Sequence, residues 1–452
     1  MKIIIVGCGK VGEALAGQLN EEGNDITVVD EDAELVKTLV AKYDVMGVIG
    51  NGATISTLME AGVSSANLLI AVTGTDEINL LSCILARRSS NCLTIARVRS
   101  PEYFTDISRV RRELGIAMIV NPDYAAASEI ARILNFPSAI NIETFAKGLV
   151  ELLKFKLPEN SPLIGLYVKE VITKLRCDVL VCTVERHGEA LIPRGDLVFE
   201  ENDVISIIAS PKKANAFFKK INYKVNPVKA ATVVGGGNIT HYLCDILSKS
   251  AISLKVIEKD PAVCEVLASD FDHITVINGD PSDEATLREE RAAKSDAFLA
   301  LTGLDEENIL LSLFAKRAGN AKTVTKINRL EYDDVINHLE LDSIVYPKNI
   351  TANTIVRYVR STANSRSSSM ENLYNIIKGQ VVAAEFNVGE HSPIADKPLR
   401  QLNLKDDVLI AAILRDKSVI IPRGQDVIAP GDNVVIVTKQ IGLCDITDVL
   451  KK

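Results

Sequence analysis

KIIIVGCGKVG, residues 2–12, is an apolar run that passes directly into a glycine-rich loop. Gly7 allows a tight turn out of the predicted strand, Gly9 lets the backbone approach a pyrophosphate, and Gly12 permits close contact between helix and strand. The helix predicted from Val11 to Leu19 offers its unpaired N-terminal amides to phosphate charge. The pattern therefore predicts a dinucleotide-binding loop. Its candidate binding residues are Gly7, Cys8, Gly9, Lys10 and Val11.

An acidic residue ends the next predicted strand. Asp30 follows the apolar run 26–29 and lies 18 residues beyond Gly12. A carboxylate at this position can accept hydrogen bonds from both ribose hydroxyls of an adenosine. It would repel a 2′-phosphate, and Glu31 and Asp32 after it are acidic too. We therefore expect NAD or another adenosine nucleotide here rather than NADP.

Thr73, Gly74, Arg97 and Cys8 also bear on the first site. Thr73 and Gly74 follow the apolar run 68–72, at the strand edge where ligands lie in such sheets; an ordinary turn is the alternative. Arg97 ends another strand-like run and is a candidate partner for phosphate charge, although a solvated arginine explains it equally well. Cys8 lies at a helix N-terminus, a position that lowers thiol pKa values, but we favour a small loop residue over a redox switch.

The second half of the chain repeats the first. Residues 235–240, Gly-Gly-Gly-Asn-Ile-Thr, correspond to the first glycine loop, and Glu258 corresponds to Asp30; both lie 228 positions later. Ile-Pro-Arg-Gly occurs at 192–195 and again at 421–424. A period of roughly 230 residues is too long for a solenoid. Each copy is therefore expected to hold one or two globular domains.

The second loop departs from the first at two positions. Thr240 replaces Gly12, and Lys326 replaces Arg97. A β-branched side chain at the closest approach of helix and strand should crowd the loop, and lysine cannot make the bidentate phosphate contact of arginine. We expect weaker binding here, with a purely structural role as the alternative. The candidate residues of the second site are Gly235, Gly236, Gly237, Asn238, Ile239 and Glu258.

Short apolar strands alternating with helices predict parallel sheets covered on both faces. After each such unit, short β-rich runs at 161–209 and 392–437 predict a small α+β domain. The predicted fold class is therefore α/β, with two Rossmann-like parallel-sheet domains, each followed by a small α+β domain. The predicted domain boundaries are 1–138, 139–222, 228–363 and 370–452.

Composition argues against several classes of function. A net charge of −8 and a pI near 5.4 disfavour nucleic-acid binding. The longest apolar runs fall far short of the roughly 18 residues of a membrane span, and the apolar start is too short for a signal peptide. The eight cysteines include no CxxC pair, so no metal site is predicted. We expect a cytosolic protein with reduced cysteines.

The duplicated motifs, together with the segment 95–103 and the two Pro-Arg-Gly turns, resemble the TrkA family. Its members are regulatory subunits of bacterial and archaeal Trk potassium-uptake systems, built from two tandem RCK (or KTN) modules. The resemblance implies binding of NAD(H), and also of ATP or ADP, without enzymatic turnover. It also implies a homotetrameric ring, peripheral on the inner face of the membrane, that gates a potassium-translocating subunit of the Trk type. Carried over by position, the first site comprises Gly7 to Val11, Asp30, Thr73, Gly74 and Arg97.

Two other functions stay open at this point. A NAD-dependent oxidoreductase would need a proton donor, such as a histidine paired with a carboxylate. The five histidines form no such motif, and only His241 lies near a glycine loop. A scaffold that binds no nucleotide would use the glycine loops for packing alone. NADH, NAD, ATP and ADP are all compatible with the motifs as the regulatory signal.

Overall fold

The computed structural model describes residues 1–104, 107–135, 141–145, 149–223, 228–328, 336, 339, 341–363, 370–377, 380–390, 392–416, 418–440, 443 and 445–451. Contacts divide the chain into two units. The first holds Met1–Asn135 and Val228–Val356, and the second holds Phe136–Pro227 and Arg357–Lys452. Each half of the chain thus contributes a segment to both units.

The first sheet is parallel, as its apolar strands predict. Its strands are Lys2–Val6 (β1), Asp25–Asp30 (β2), Met46–Ile49 (β3), Leu68–Ala71 (β4), Leu93–Arg97 (β5) and Met118–Val120 (β6). Their order is β3-β2-β1-β4-β5-β6, that of a doubly wound Rossmann sheet. The helices are Lys10–Glu21 (α1), Ala33–Lys42 (α2), Ile55–Glu60 (α3), Asp76–Ser89 (α4), Pro101–Phe104 (α5), Ile107–Glu113 (α6) and Pro122–Asn135 (α7), with a 3-10 turn at Val63–Ser65.

A smaller antiparallel sheet follows. Its strands are Asn141–Phe145 (β7), Val150–Lys156 (β8), Leu180–Arg186 (β9), Glu189–Leu191 (β10) and Val204–Ala209 (β11), in the order β10-β9-β11-β8-β7. Its helices are Glu170–Leu175 (α8) and Pro211–Lys220 (α9). The sequence patterns missed the opening hairpin β7–β8. Strand β8 is buried on both faces over most of its length, so it lacks the alternation of a half-exposed strand.

The second half repeats this arrangement. The parallel strands are Ala230–Val234 (β12), Ser253–Glu258 (β13), Ile274–Asn278 (β14), Ala297–Ala300 (β15), Lys322–Lys326 (β16) and Ser343–Val345 (β17), in the order β14-β13-β12-β15-β16-β17. The helices are Asn238–Leu247 (α10), Pro261–Asp270 (α11), Glu284–Glu289 (α12), Asp305–Ala318 (α13) and Pro347–Ala363 (α14), with a 3-10 turn at Ala292–Lys294. The second small sheet comprises Met370–Ile377 (β18), Val381–Asn387 (β19), Val408–Arg415 (β20), Ser418–Ile420 (β21) and Asn433–Thr438 (β22), in the order β18-β19-β22-β20-β21. Its 3-10 turns are Leu399–Gln401 and Ile446–Val449.

The predicted α/β class, with two Rossmann-like domains each followed by a small sheet domain, is therefore confirmed. The division into four domains at the stated boundaries stays a prediction. The boundary between 138 and 139 lies outside the described residues, whereas 363 coincides with the last residue of α14. Within the described part of the chain, none of the helices has the length and apolar character needed to cross a bilayer.

The two Rossmann-like domains share a hydrophobic core. Ile130 and Leu134 of α7, from the first domain, are buried in the same cluster as Leu243 and Leu247 of α10, from the second. Burying one such side chain contributes about 1.5 to 3 kcal/mol. This packing brings the end of the first domain next to the second glycine loop.

Candidate nucleotide-binding sites

The first glycine loop joins β1 to α1 in a geometry that requires two of its glycines. Gly7 has φ +106, and a Cβ on it would lie 2.8 Å from the Thr73 backbone nitrogen. A Cβ on Gly12 would lie 1.8 Å from the Gly7 carbonyl oxygen. Gly9 differs. It is the N-cap residue of α1 with an extended backbone, and a Cβ added to it would have no atom within 4 Å. The backbone is therefore bare at the point where a phosphate would approach.

A cavity of about 450 Å³ lies over this loop. It brings together most of the predicted residues of the first site: Gly7, Gly9, Lys10, Val11, Asp30, Thr73, Gly74 and Arg97. Sequence reasoning missed the loop 50–52, together with Leu35 and Ile78, which also line the cavity. The two apolar side chains make part of the wall suitable for an aromatic base. That these residues bind a nucleotide stays a proposal.

Cys8 is placed differently from its neighbours. Its side chain is buried, and its backbone N–H donates to Asp30 Oδ2 at 2.6 Å. Burial, and then the Asp30 and Asp32 carboxylates, raise the pKa of the Cys8 thiol to about 12. The lowering expected at a helix N-terminus is therefore outweighed. The thiol stays protonated near neutral pH, which favours a packing role over a redox switch.

Asp30 already has two backbone partners without a ligand. Besides Cys8, the backbone N–H of Asp32 donates to Asp30 Oδ1 at 3.0 Å. Asp32 in turn caps α2 by accepting from the backbone of Glu34 and Leu35. Each carboxylate oxygen of Asp30 can still accept a second hydrogen bond. Asp30 therefore holds the glycine loop against the end of β2 and keeps acceptor capacity for ribose hydroxyls.

Arg97 is not the solvated strand-end arginine that was one alternative. Its Nη2 donates to the Thr73 carbonyl oxygen at 2.6 Å. Its buried Nε has no hydrogen-bond partner among the described residues. Burial, and then the nearby Arg99, lower the pKa of the Arg97 guanidinium. A half-buried cation that lines the cavity is suited to an anionic ligand.

Asn79, on α4, positions two of these residues and was missed as a site residue. Its Oδ1 accepts from the backbone and the hydroxyl of Thr73, at 2.7 and 2.8 Å. Its Nδ2 donates to the Arg97 carbonyl oxygen at 2.9 Å. Asn308 repeats the two backbone contacts on Thr302 and Lys326 in the second half. The recurrence of this asparagine in both copies was a signal available in the sequence.

The second glycine loop has the same geometry and a cavity of about 470 Å³. All of its predicted residues line that cavity: Gly235, Gly236, Gly237, Asn238, Ile239 and Glu258. The backbone N–H of Gly236 donates to Glu258 Oε2 at 2.6 Å, and that of Asp260 donates to Oε1 at 2.8 Å. Thr302 and Gly303, the counterparts of Thr73 and Gly74, also line it. The offset of the repeat would have identified them.

Thr240 occupies the place of Gly12, and the weaker binding expected from it stays a prediction. Thr240 is buried, and its hydroxyl donates to the Gly235 carbonyl oxygen at 2.5 Å. The side chain thus has a partner inside the loop.

Lys326 takes the place of Arg97 with a weaker contact. Its Nζ donates to the Leu301 carbonyl oxygen at 3.3 Å. Burial lowers the pKa of the Lys326 ammonium, while Asp123 and Asp305 oppose that shift. Its single charged nitrogen cannot form the two parallel bonds of a guanidinium. The predicted difference in phosphate contact between the two sites therefore has a structural basis.

Two residues of the first domain also line the second cavity, namely Arg99 and Asp123. Arg99 Nε donates to Asp123 Oδ2 at 2.9 Å, and Asn238 Nδ2 donates to the same oxygen at 3.3 Å. Tyr242 of α10 donates to the Arg99 carbonyl oxygen at 2.9 Å. These contacts join domains that are far apart in sequence. No pattern within either domain predicts them.

Comparison with protein-family models identifies the same duplication. The TrkA-N domain model matches residues 3–122 and 231–347. The TrkA-C domain model matches residues 152–222 and 383–448. Together these matches cover most of both Rossmann-like domains and most of both small sheet domains.

Comparison with individual proteins gives consistent results. The chain is 32% identical to "Trk system potassium uptake protein TrkA homolog 1" of Methanosarcina mazei, over 96% of this chain and 97% of the relative. It is also 32% identical to "Trk system potassium uptake protein TrkA" of Halomonas elongata, over 96% and 95%. The solved structure "GsuK channel bound to NAD" superposes with a TM-score of 0.63 and 18% identity, over 97% of this chain and 77% of that one. At that identity the superposition supports the fold alone.

Proposed function

Because the chain belongs to the TrkA family, we propose that it is a nucleotide-binding regulatory subunit of a Trk-type potassium-uptake system. Its ligand is NAD(H), and also ATP or ADP, bound first at the cavity over residues 7–11. The observation that carries this proposal is the convergence of a bare glycine loop, the Asp30 carboxylate and the Arg97 guanidinium around one cavity. These groups match the phosphates and ribose of an adenosine nucleotide.

The regulated partner is a potassium-translocating membrane subunit of the Trk type. The protein assembles as a homotetramer on the cytosolic face of that subunit and performs no chemical turnover. A ligand shifts a conformational equilibrium only by its differential affinity for the two states. Two unlike nucleotides competing for one loop can therefore drive the partner in opposite directions, and four copies add their biases.

The oxidoreductase alternative finds little support in the cavities. Among the described residues, no histidine lines either cavity. His241, the histidine nearest a glycine loop, lies 3.0 Å from Asp270 Oδ2. That pair comprises a histidine and a carboxylate, but neither residue lines the second cavity. A proton donor would have to be within hydrogen-bond reach of the substrate.

The test combines binding with flux. Calorimetric titration of NADH, NAD, ATP and ADP into the purified protein should show binding. Potassium flux through the reconstituted membrane subunit should change when a nucleotide is added in the presence of this protein. Gly9→Asp is the variant designed to block the first site. It places a carboxylate in open space at the N-cap, where aspartate is a favoured residue. This variant should fold and lose the nucleotide response. Unaltered flux with every nucleotide would contradict the proposal.

A further inference from the structure

A carboxylate of the first domain lies in the cavity of the second. Asp123 belongs to the first turn of α7, is 4% exposed, and lines the cavity over the second glycine loop. Its Oδ2 accepts from the side chain of Asn238, the first residue of α10. Helix N-termini attract anions because their first amides are unpaired. Asp123 therefore lies close to the place where a nucleotide phosphate would bind.

Cations surround this carboxylate. Arg99 forms an ion pair with it at 2.9 Å. Lys326 lines the second cavity, and Arg97 lines the first. Burial lowers the pKa values of both side chains, and the nearby Asp123 carboxylate opposes that lowering. Asp123 thus neutralises part of the positive charge that the second cavity would offer to a phosphate.

We propose that Asp123 is an internal counter-anion of the second cavity. A nucleotide phosphate binds there by replacing Asp123 as the ion-pair partner of Arg99. The second site is then composite, because its glycine loop comes from one domain and its guanidinium from the other. The ligand class is an adenosine nucleotide with at least one phosphate. The inference rests on the proposed function, since it assumes that the second cavity receives the same class of ligand as the first.

The two cavities differ in this respect. The described residues that line the first cavity all belong to the first Rossmann-like domain. The counterparts of Arg99 and Asp123 in the repeat are Asn328 and Lys348, which line neither cavity. Within the described part of the chain, the first cavity thus lacks an equivalent internal anion. Phosphate binding at the second site should change the contact between the two Rossmann-like domains. Phosphate binding at the first site should not change that contact in the same way.

The experiment isolates the second site with Gly9→Asp, which blocks the first. In that background, Asp123→Asn keeps the side-chain shape and removes the charge, so the affinity for ADP should rise by about tenfold. Arg99→Gln should lower the ADP affinity by about tenfold or more, because a charge-assisted contact is lost. Adenosine, which has no phosphate, should bind equally to both variants. Arg112→Gln, an exposed arginine of α6 that lines neither cavity, should leave ADP binding unchanged.

Thermal unfolding of each variant checks that it folds, and Arg99→Lys, which retains the charge, should restore part of the ADP affinity. ADP affinities unaffected by both Asp123→Asn and Arg99→Gln would overturn the inference. Equal losses of affinity for adenosine and for ADP in Arg99→Gln would overturn it too. So would the absence of ADP binding to the double variant Gly9→Asp/Asp123→Asn. In each of these cases nucleotide binding by the unmodified protein would leave the proposed function standing. Absence of nucleotide binding to the unmodified protein would defeat both.

Discussion

At the scale of single residues, one acidic side chain organises each glycine loop before any ligand binds. Asp30 and Glu258 differ by one methylene, yet each accepts a loop N–H at 2.6 Å and a second N–H two residues beyond itself. The carboxylate thus sets the position of the loop relative to the second strand. Ribose recognition would use acceptor capacity that remains on the same oxygens.

Replacing this acid should weaken nucleotide binding at the first site. Asp30→Ala removes a charge-assisted pair of acceptors, so adenosine-nucleotide binding should lose about 1.5 to 3 kcal/mol. The measurement is calorimetry with NADH in a Gly237→Asp background, which places a carboxylate in the open space of the second loop. Glu258→Ala is the matched control and should leave the first site intact. Unchanged affinity in Asp30→Ala would rule out the assigned role.

Asn79 supports a second residue-scale prediction. It is fully buried, and its amide binds the strand ends at Thr73 and Arg97. Asn79→Ala leaves buried donors and acceptors without partners, so the free energy of unfolding should fall by about 1 to 3 kcal/mol. NADH affinity at the first site should fall as well, because both strand ends lose their support.

Asn308→Ala provides the control, since Asn308 makes the same contacts in the second domain. Denaturant unfolding should show a comparable loss of stability. Calorimetry should show that the first site keeps its affinity for NADH. If the two variants weakened the first site equally, Asn79 would act through global stability and not through the site.

At the scale of elements, each small sheet is clamped by a repeated arginine–aspartate pair. Arg186 on β9 donates to both carboxylate oxygens of Asp203, at 2.8 and 2.9 Å, and Arg415 on β20 does the same with Asp432. In each copy the arginine also donates to a backbone carbonyl, that of Val198 or Val427. The pair joins a strand end to the turn before the next strand.

Breaking this clamp should destabilise the small sheet. Asp203 is buried, and Asp203→Ala leaves a half-buried guanidinium without its bidentate partner. Unfolding free energy should fall by about 3 kcal/mol, at the lower end for a broken buried pair, because Glu200 still contacts Arg186. Denaturant unfolding measures this loss. Glu34→Ala breaks an exposed pair with Lys37 and should change stability by less than about 0.5 kcal/mol.

At the scale of the whole molecule, a near-symmetric duplication has produced two unequal sites. Both cavities have similar volumes and similar acid-to-loop contacts. They differ in the cation, Arg97 or Lys326, and in the presence of Asp123 in the second cavity alone. The difference thus arises partly from how the two domains pack, and not only from substitutions within the loop.

NAD(H) should therefore occupy the first site before the second. Phosphate binding at the second site competes with an internal carboxylate, and lysine offers it a less directional contact. A crystal soaked with limiting NADH should show density over residues 7–11 and little over residues 235–239. Calorimetry on Gly237→Asp should retain the tighter binding, whereas Gly9→Asp should lose it. Equal occupancy of both loops at limiting ligand would contradict the prediction.

The Rossmann-like domains and the first glycine loop could be predicted from local pattern, whereas the loop 50–52, Leu35 and Ile78 of the first cavity were missed. The positive φ at Gly7, the helix start after Gly9 and the acid at Asp30 are set by the local backbone and by contacts between β1, α1 and β2. Residue type at fixed spacing reports such contacts, because glycine conformation and strand length set the geometry. The hairpins that open the small sheets were not predicted, since strands buried on both faces lack alternation.

Other features depend on packing between distant segments. Arg99 and Asp123 reach the second cavity because α7 packs against α10, more than 100 residues away. The spacing of residues along one segment does not indicate which other segment of the chain will pack against it. The charge that distinguishes the two cavities therefore arises from the tertiary contact between the domains.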